Sequence, residues 1–147
     1  MSLNNIFDIA GTGMSAQTLR LNTTASNLAN AETASSSTGE TYRARKPVFA
    51  AIQQAMMAGQ DGGFKLDGQP ASAGVEVREI IESDAPLRPR FEPHHPMADE
   101  EGYVYYPNVN VVEEMADMMS ASRSFQTNAE VVNTAKSMMQ RVLTLGQ

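Results

Sequence analysis

Residues 110–145 read NVVEEMADMMSASRSFQTNAEVVNTAKSMMQRVLTL, and this stretch decides what the rest of the chain must do. Val111, Met118, Phe125, Val132 and Met139 recur every seven residues, with Met115, Ser122, Ala129, Ala135 and Val142 filling the intervening steps of three and four. Such spacing keeps side chains on one slowly drifting stripe of an α-helix. Asn110 is placed to cap the first turn, Glu113 sits at the capping-box position, and Glu114 and Asp117 put negative charge near the positive end of the helix dipole. Arg141 lies in the last turns and Gly146 follows them, so the spacing predicts a helix over 111–145. At 1.5 Å per residue it would be about 52 Å long. A second row, Met119, Val131, Met138 and Leu145, widens the apolar surface beyond what one partner helix covers.

The opposite end carries the same repeat in Phe7, Met14, Leu21 and Leu28. It predicts a helix from about Ile6 to Ala31, capped by Asn5. Gly11 and Gly13 each cost roughly 1 kcal/mol against alanine in a helix interior, and Asn22, Thr23, Thr24, Ser26, Asn27 and Asn30 are weak helix formers. Such a helix needs a partner, and the other end of the chain is the obvious one. The expected fold is therefore mainly α with a small β- and loop-rich middle, its long N- and C-terminal helices pairing as a coiled coil. In domain terms, residues 1–33 and 106–147 form a discontinuous helical unit around a middle segment, 34–105.

That middle segment is punctuated. Residues 34–41 are small and polar and read as a loop; Tyr42 to Gln54 begin as a strand through Pro47, Val48 and Phe49 and continue as a short helix to Met57. Gly59 to Gly74 hold five glycines and one proline and read as a flexible connection or hairpin. Val75, Val77 and Glu79 to Ile81 alternate as a strand does, and Gly102 to Tyr106 is a second strand candidate. Prolines at 86, 89, 93, 96 and 107 exclude a helix between them.

The formal charge is −6, of which each end carries −1 and residues 33–105 carry −4. Without a clustered basic face, a nucleic-acid groove or an anionic membrane surface is excluded as the main partner. No cysteine is present, which removes disulfides and thiolate metal sites and suits an oxidising compartment. Asp8, Gly11, Thr12 and Gly13 interrupt the first apolar stretch, so it does not read as a cleaved signal peptide, and no run reaches the length of a membrane span.

Catalytic chemistry finds little to stand on. His94 and His95 with Asp99, Glu100 and Glu101 are the one grouping with metal-ligand chemistry, but adjacent histidines between prolines seldom face one ion. A loop whose His and Asp bond the backbone is the better reading. No nucleophile elbow or phosphate-binding loop is present, so neither an enzyme nor a cofactor or metal is expected. From the residues alone, two non-catalytic readings remain: a hairpin that completes its burial in a polymer, or a small helical-hairpin adaptor or chaperone that binds a partner helix.

A resemblance separates them. Ala25-Ser26-Asn27-Leu28-Ala29-Asn30-Ala31-Glu32-Thr33 resembles, with Ala25 in place of the leading serine, the S-x-N-[IL]-A-N signature of the flagellar axial family of rod, hook and hook-associated subunits. Tyr42-Arg43-Ala44-Arg45, the segment Glu92-Pro93-His94-His95-Pro96 through Gly102-Tyr103-Val104, and Pro107-Asn108-Val109-Asn110 with Glu114-Met115, Arg123 and Asn128 are similar to the proximal-rod members of that family. The resemblance implies a non-catalytic subunit of the basal-body rod, polymerising through its terminal helices and transmitting motor torque across the periplasm. It further implies export without a cleaved signal by the flagellar export apparatus. Its partners would be other copies of itself, the sister rod subunits (proximal B and F, distal G) and the rod-base adaptor, with no nucleic acid and no direct membrane insertion. The residues expected to bury the assembly are Phe7, Met14, Leu21, Leu28, Met115, Met118, Phe125, Val132 and Met139. Asn27, Asn30, Pro107, Asn108, Asn110, Glu114, Arg123 and Asn128 are carried by motif, the asparagines to fix helix ends and turns through backbone bonds.

Overall fold

A computed structural model describes residues 3–53 and 72–145. The elements run α1 (Leu3–Asn30), β1 (Arg45–Gln53), β2 (Ser72–Glu82), β3 (Arg88–Phe91), β4 (Tyr103–Tyr106) and α2 (Val111–Leu145). The short helix expected up to Met57 and most of the Gly59–Gly74 connection lie outside the described residues.

The helices lie antiparallel. The Asn27 amide meets Glu114 near one end, Arg20 Nη2 donates to Asp117 Oδ1 at 2.6 Å, and Gly13 faces the Asn128 side chain. Ile6 shares a groove with Ala135 and Met138 at the other end. Helix α1 begins at Leu3, so Asn5 sits inside it and is not its cap. Asn110 does cap α2: its Oδ1 accepts from Val112 N at 3.2 Å and its carbonyl accepts the first helical bond from Glu114 N at 2.9 Å. Glu113 turns instead to Lys46 Nζ at 3.2 Å, an exposed pair of small energetic weight.

The fold class differs from the expectation. Half of the described residues are helical and 22% are strand, arranged as two helices with two separate two-stranded antiparallel sheets, so the chain is mixed α and β and not mainly α. The coiled-coil description fails for a second reason. On α2 the buried positions are Glu114, Ala121 and Ala135, and on α1 they are Ala10, Ala16, Thr23, Thr24 and Asn27. The seam is thus built from small and polar side chains that let the backbones approach. The large apolar heptad, three residues out of phase with Glu114, Ala121, Asn128 and Ala135, flanks that seam instead of filling it.

β1 and β2 pair as an antiparallel ribbon from Arg45↔Glu82 to Gln53↔Ser72, with a register shift where Val48 faces Glu79 and Phe49 faces Val77. The shift leaves Arg78 as the extra residue of a bulge and resets the alternation. Pro47, Phe49 and Ala51 consequently share one face with Ile80, Val77 and Val75, their cross-strand partners, which makes that face apolar. The ribbon's contact with α1 is clasped at Gly74, whose φ of +141° and missing Cβ admit the Thr12 hydroxyl, which accepts from Val75 N at 3.2 Å.

The second sheet pairs β3 with β4, and Ser35 adds a single bridge on β4's other side, exchanging bonds of 3.0 and 3.1 Å with Tyr105. Because Tyr105 spends its N–H and C=O on Ser35, the opposed Pro89 on β3 occupies a non-hydrogen-bonded position where its missing N–H costs nothing. This explains how a proline-bearing segment that sequence patterning merely barred from helix becomes a strand. Val104, fully buried, anchors β4.

Candidate assembly interface

The best-connected polar group is Asn27, 1% exposed, in the last turn of α1. Its Oδ1 accepts from Arg45 N and from the Tyr42 hydroxyl, each at 2.9 Å, and its Nδ2 donates to Arg45 O at 2.8 Å. The same amide hydrogen-bonds the Glu114 carboxylate. One side chain therefore ties α1, the start of β1 and the first turn of α2. A carboxamide suits this position because it offers two donor hydrogens and two acceptor lone pairs at once.

Asn108 repeats the device one layer away. Its Oδ1 accepts from Ala44 N at 2.8 Å, and its Nδ2 donates to Ser83 O at 3.2 Å and Ala85 O at 2.9 Å. Arg88 donates through Nε to Pro107 O at 2.9 Å and through Nη2 to Ala31 O at 3.3 Å. Around these bonds Ala31, Ala44 and Val109 form a buried apolar cluster with Tyr42 and Val111 against it. Asn30 bonds back to Ser26 O at 2.8 Å within α1. Arg43 and Arg88 are members of this junction that patterning did not single out by role; their signal is only that each lies within a proline- or loop-bounded segment, which does not reveal a carbonyl partner 40 and 19 positions away.

Glu114 is 4% exposed, and burial pushes its carboxyl above the ordinary carboxylate range, against opposing pulls from the Asn27 hydrogen bond and Lys46. The folded state holds this proton more tightly than the unfolded one, so its stabilising contribution is complete below the unfolded pKa and is lost as pH rises through the folded one. Glu114→Gln keeps the amide-sized shape without the charge. We expect its thermal midpoint to exceed wild type most at pH 7, the difference shrinking as pH falls towards about 4. Parallel melts across that range check it; a difference that widens on acidification contradicts the burial argument.

The loop 92–102 uses its polar side chains on itself. His95 Nδ1 accepts from Met97 N at 3.1 Å, and Asp99 Oδ1 accepts from Glu101 N at 3.0 Å and Tyr103 N at 2.8 Å. Gly102, at φ +84°, closes the turn beneath Phe91 and Pro93. Among the described residues no group of three His, Asp or Glu side chains is set to hold a metal ion.

Of the residues expected to bury an assembly, Phe7, Met14, Leu21, Leu28, Met118, Val132 and Met139 are half-buried. Met115 stands 52% exposed and Phe125 36%. Arg123 is exposed and Asn128 half-buried beside Gly13. The outward surface of α2 adds Val112, Met119, Val131, Met138, Val142 and Leu143, all exposed. No described helix is long and apolar enough to cross a membrane. This 35-residue helix therefore leaves much of its apolar surface uncovered within one chain.

Comparison with known proteins agrees with this geometry. A family described as "Flagella basal body rod protein" matches residues 7–34, and one described as "Flagellar basal body rod FlgEFG protein C-terminal" matches residues 100–145. The chain is 50% identical over 149 residues to the flagellar basal-body rod protein FlgC of Salmonella typhimurium and 49% identical to that of Escherichia coli O157:H7, covering all of both chains in each case. It is 37% identical over 152 residues to FlgC of Borreliella burgdorferi, covering all of this chain and 99% of the other. Matched from end to end, with the family signatures on the two helices that build the asparagine-tied junction, the chain belongs to the FlgC family of flagellar basal-body rod proteins.

Proposed function

We propose that this chain, a structural rod subunit, polymerises through α1 and α2 within the proximal rod of the flagellar basal body and passes motor torque across the periplasm. The observation that carries this reading is the row of exposed apolar residues along α2, which one chain leaves uncovered. Torque then travels through many packed contacts, and no catalytic step is involved. Its partners are further copies of itself, neighbouring rod subunits, the adaptor at the rod base and the export apparatus that delivers it.

The test is to locate a tagged chain in purified basal bodies from a strain lacking the native gene. Recovery in the rod fraction supports the reading, and restored motility without the chain in basal bodies overturns it. Phe125→Asp places a charge on the exposed α2 surface, and is expected to abolish swimming while the variant is still exported. Wild-type swimming by that variant contradicts assembly through α2.

A further inference from the structure

Helix α2 is seven residues longer than α1. Since Asn27 is level with Glu114 and Ile6 with Ala135, the first turn of α1 ends near Met138, and residues 139–145 extend past it. Among the described residues, none of α1 lies level with this stretch of about 10 Å. This overhang presents Val142 and Leu143, 65% and 67% exposed, beside Met138 at 57%. Branched apolar side chains on the free end of a helix cost solvation unless something covers them.

A groove of about 600 Å³ lies between α1 and the β1–β2 ribbon, mostly against β2. Thr12, Ala16 and Leu19 form one wall and Ile52, Val75 and Val77 the other. Ser15, Thr18 and Asn22 add polar groups to the α1 wall, most of the lining area is nonetheless apolar, and Glu76 is the one charged residue among its lining. Arg141 is the one charged residue in 139–145. Apolar surface and a single opposite charge thus face each other in kind. The chain's own overhang cannot enter, because it runs past Leu3 and away from a groove that begins at Thr12, about 13 Å back along α1.

We propose that the groove between α1 and β2 receives the overhang of α2 from a second copy of this chain, with Arg141 against Glu76. This rests on the reading of the chain as a polymerising rod subunit. The two surfaces differ, so the contact is head-to-tail and each copy added leaves a fresh groove and a fresh overhang, as a growing filament requires.

The chain has no cysteine, so engineered pairs report cleanly. In cells carrying the full-length chain, Val77→Cys with Leu143→Cys in one molecule is expected to give a ladder of disulfide-linked copies in oxidised basal bodies. Either single variant is expected to give none. Glu76→Arg and Arg141→Glu are each expected to cut incorporation into basal bodies by about tenfold through like-charge juxtaposition, and the double exchange to restore it. Basal bodies that contain the double-cysteine chain without a ladder overturn the inference and leave the rod reading standing, as does a band linking the chain to a different subunit. Single reversals without effect, or no rescue in the double exchange, overturn it too. Absence of the wild-type chain from basal bodies overturns both.

Discussion

Asn27→Ala is expected to lower the stability of the isolated subunit by about 4 kcal/mol, the largest effect of any single substitution outside the strained glycines. The loss is not of one bond. Alanine leaves Arg45 N, Arg45 O and the Glu114 carboxylate without this partner, and the Tyr42 hydroxyl with only its 3.3 Å contact to Ser26 Oγ, in a place where the native side chain is 1% exposed. Each orphaned buried group costs about 1–3 kcal/mol, and water entering the gap recovers part of the total. Asn27→Asp sharpens the test, since it keeps the acceptor for Arg45 N while removing the donor to Arg45 O and adding a carboxylate beside Glu114. It should be nearly as damaging at pH 7 and milder in acid. Urea unfolding followed by circular dichroism measures both, and a cost under about 1 kcal/mol for the alanine variant would show that the junction is held by packing alone.

Ala121→Leu is expected to cost about 3 kcal/mol for the opposite reason, too much side chain instead of too little. Ala121 has no exposed surface and lies on the seam between the helices. A leucine there must push α1 away, lengthening the Arg20–Asp117 bond and opening the Asn27–Glu114 contact one turn further on. Ala116→Leu, on an exposed position of the same helix, is the control, and leucine's helix propensity is close enough to alanine's that it should be near neutral. Equal costs at the two positions would mean that the helices are not closely apposed.

The contrast between these sites explains what was legible beforehand. Helix α2, its cap at Asn110 and the strands near Val75 and Tyr103 follow from periodicity and capping chemistry. Which stripe of α2 faces α1 does not. The row Glu114, Ala121, Asn128, Ala135 has the same seven-residue spacing as the row Val111, Met118, Phe125, Val132 and Met139, and hydropathy favours the second because alanine and asparagine weigh little. Close backbone approach, which rewards small side chains, is invisible to such a count. The fold class was misjudged through the same blindness to context. β3 contains Pro89, and only the bridge from Ser35 to Tyr105 makes that proline acceptable. The motif placed Asn27 and Asn108 among the important residues, but their partners, Arg45 and Ser83, depend on a junction that no local pattern describes.

The bond between Arg20 and Asp117 joins residues 97 positions apart. Every tie across the helix seam shares that long separation, so the native contact order is high and closing the loop must be settled before the seam rewards it. While the chain is being made, α1 is complete before α2 exists. Until the last helix emerges, Asn27 has no Glu114, Arg20 has no Asp117 and the glycine-weakened α1 lacks its partner helix. The topology thus holds back closure of the helix seam until α2 has followed α1, and the first turns of α2, which carry Glu114 and Asp117, are what release it.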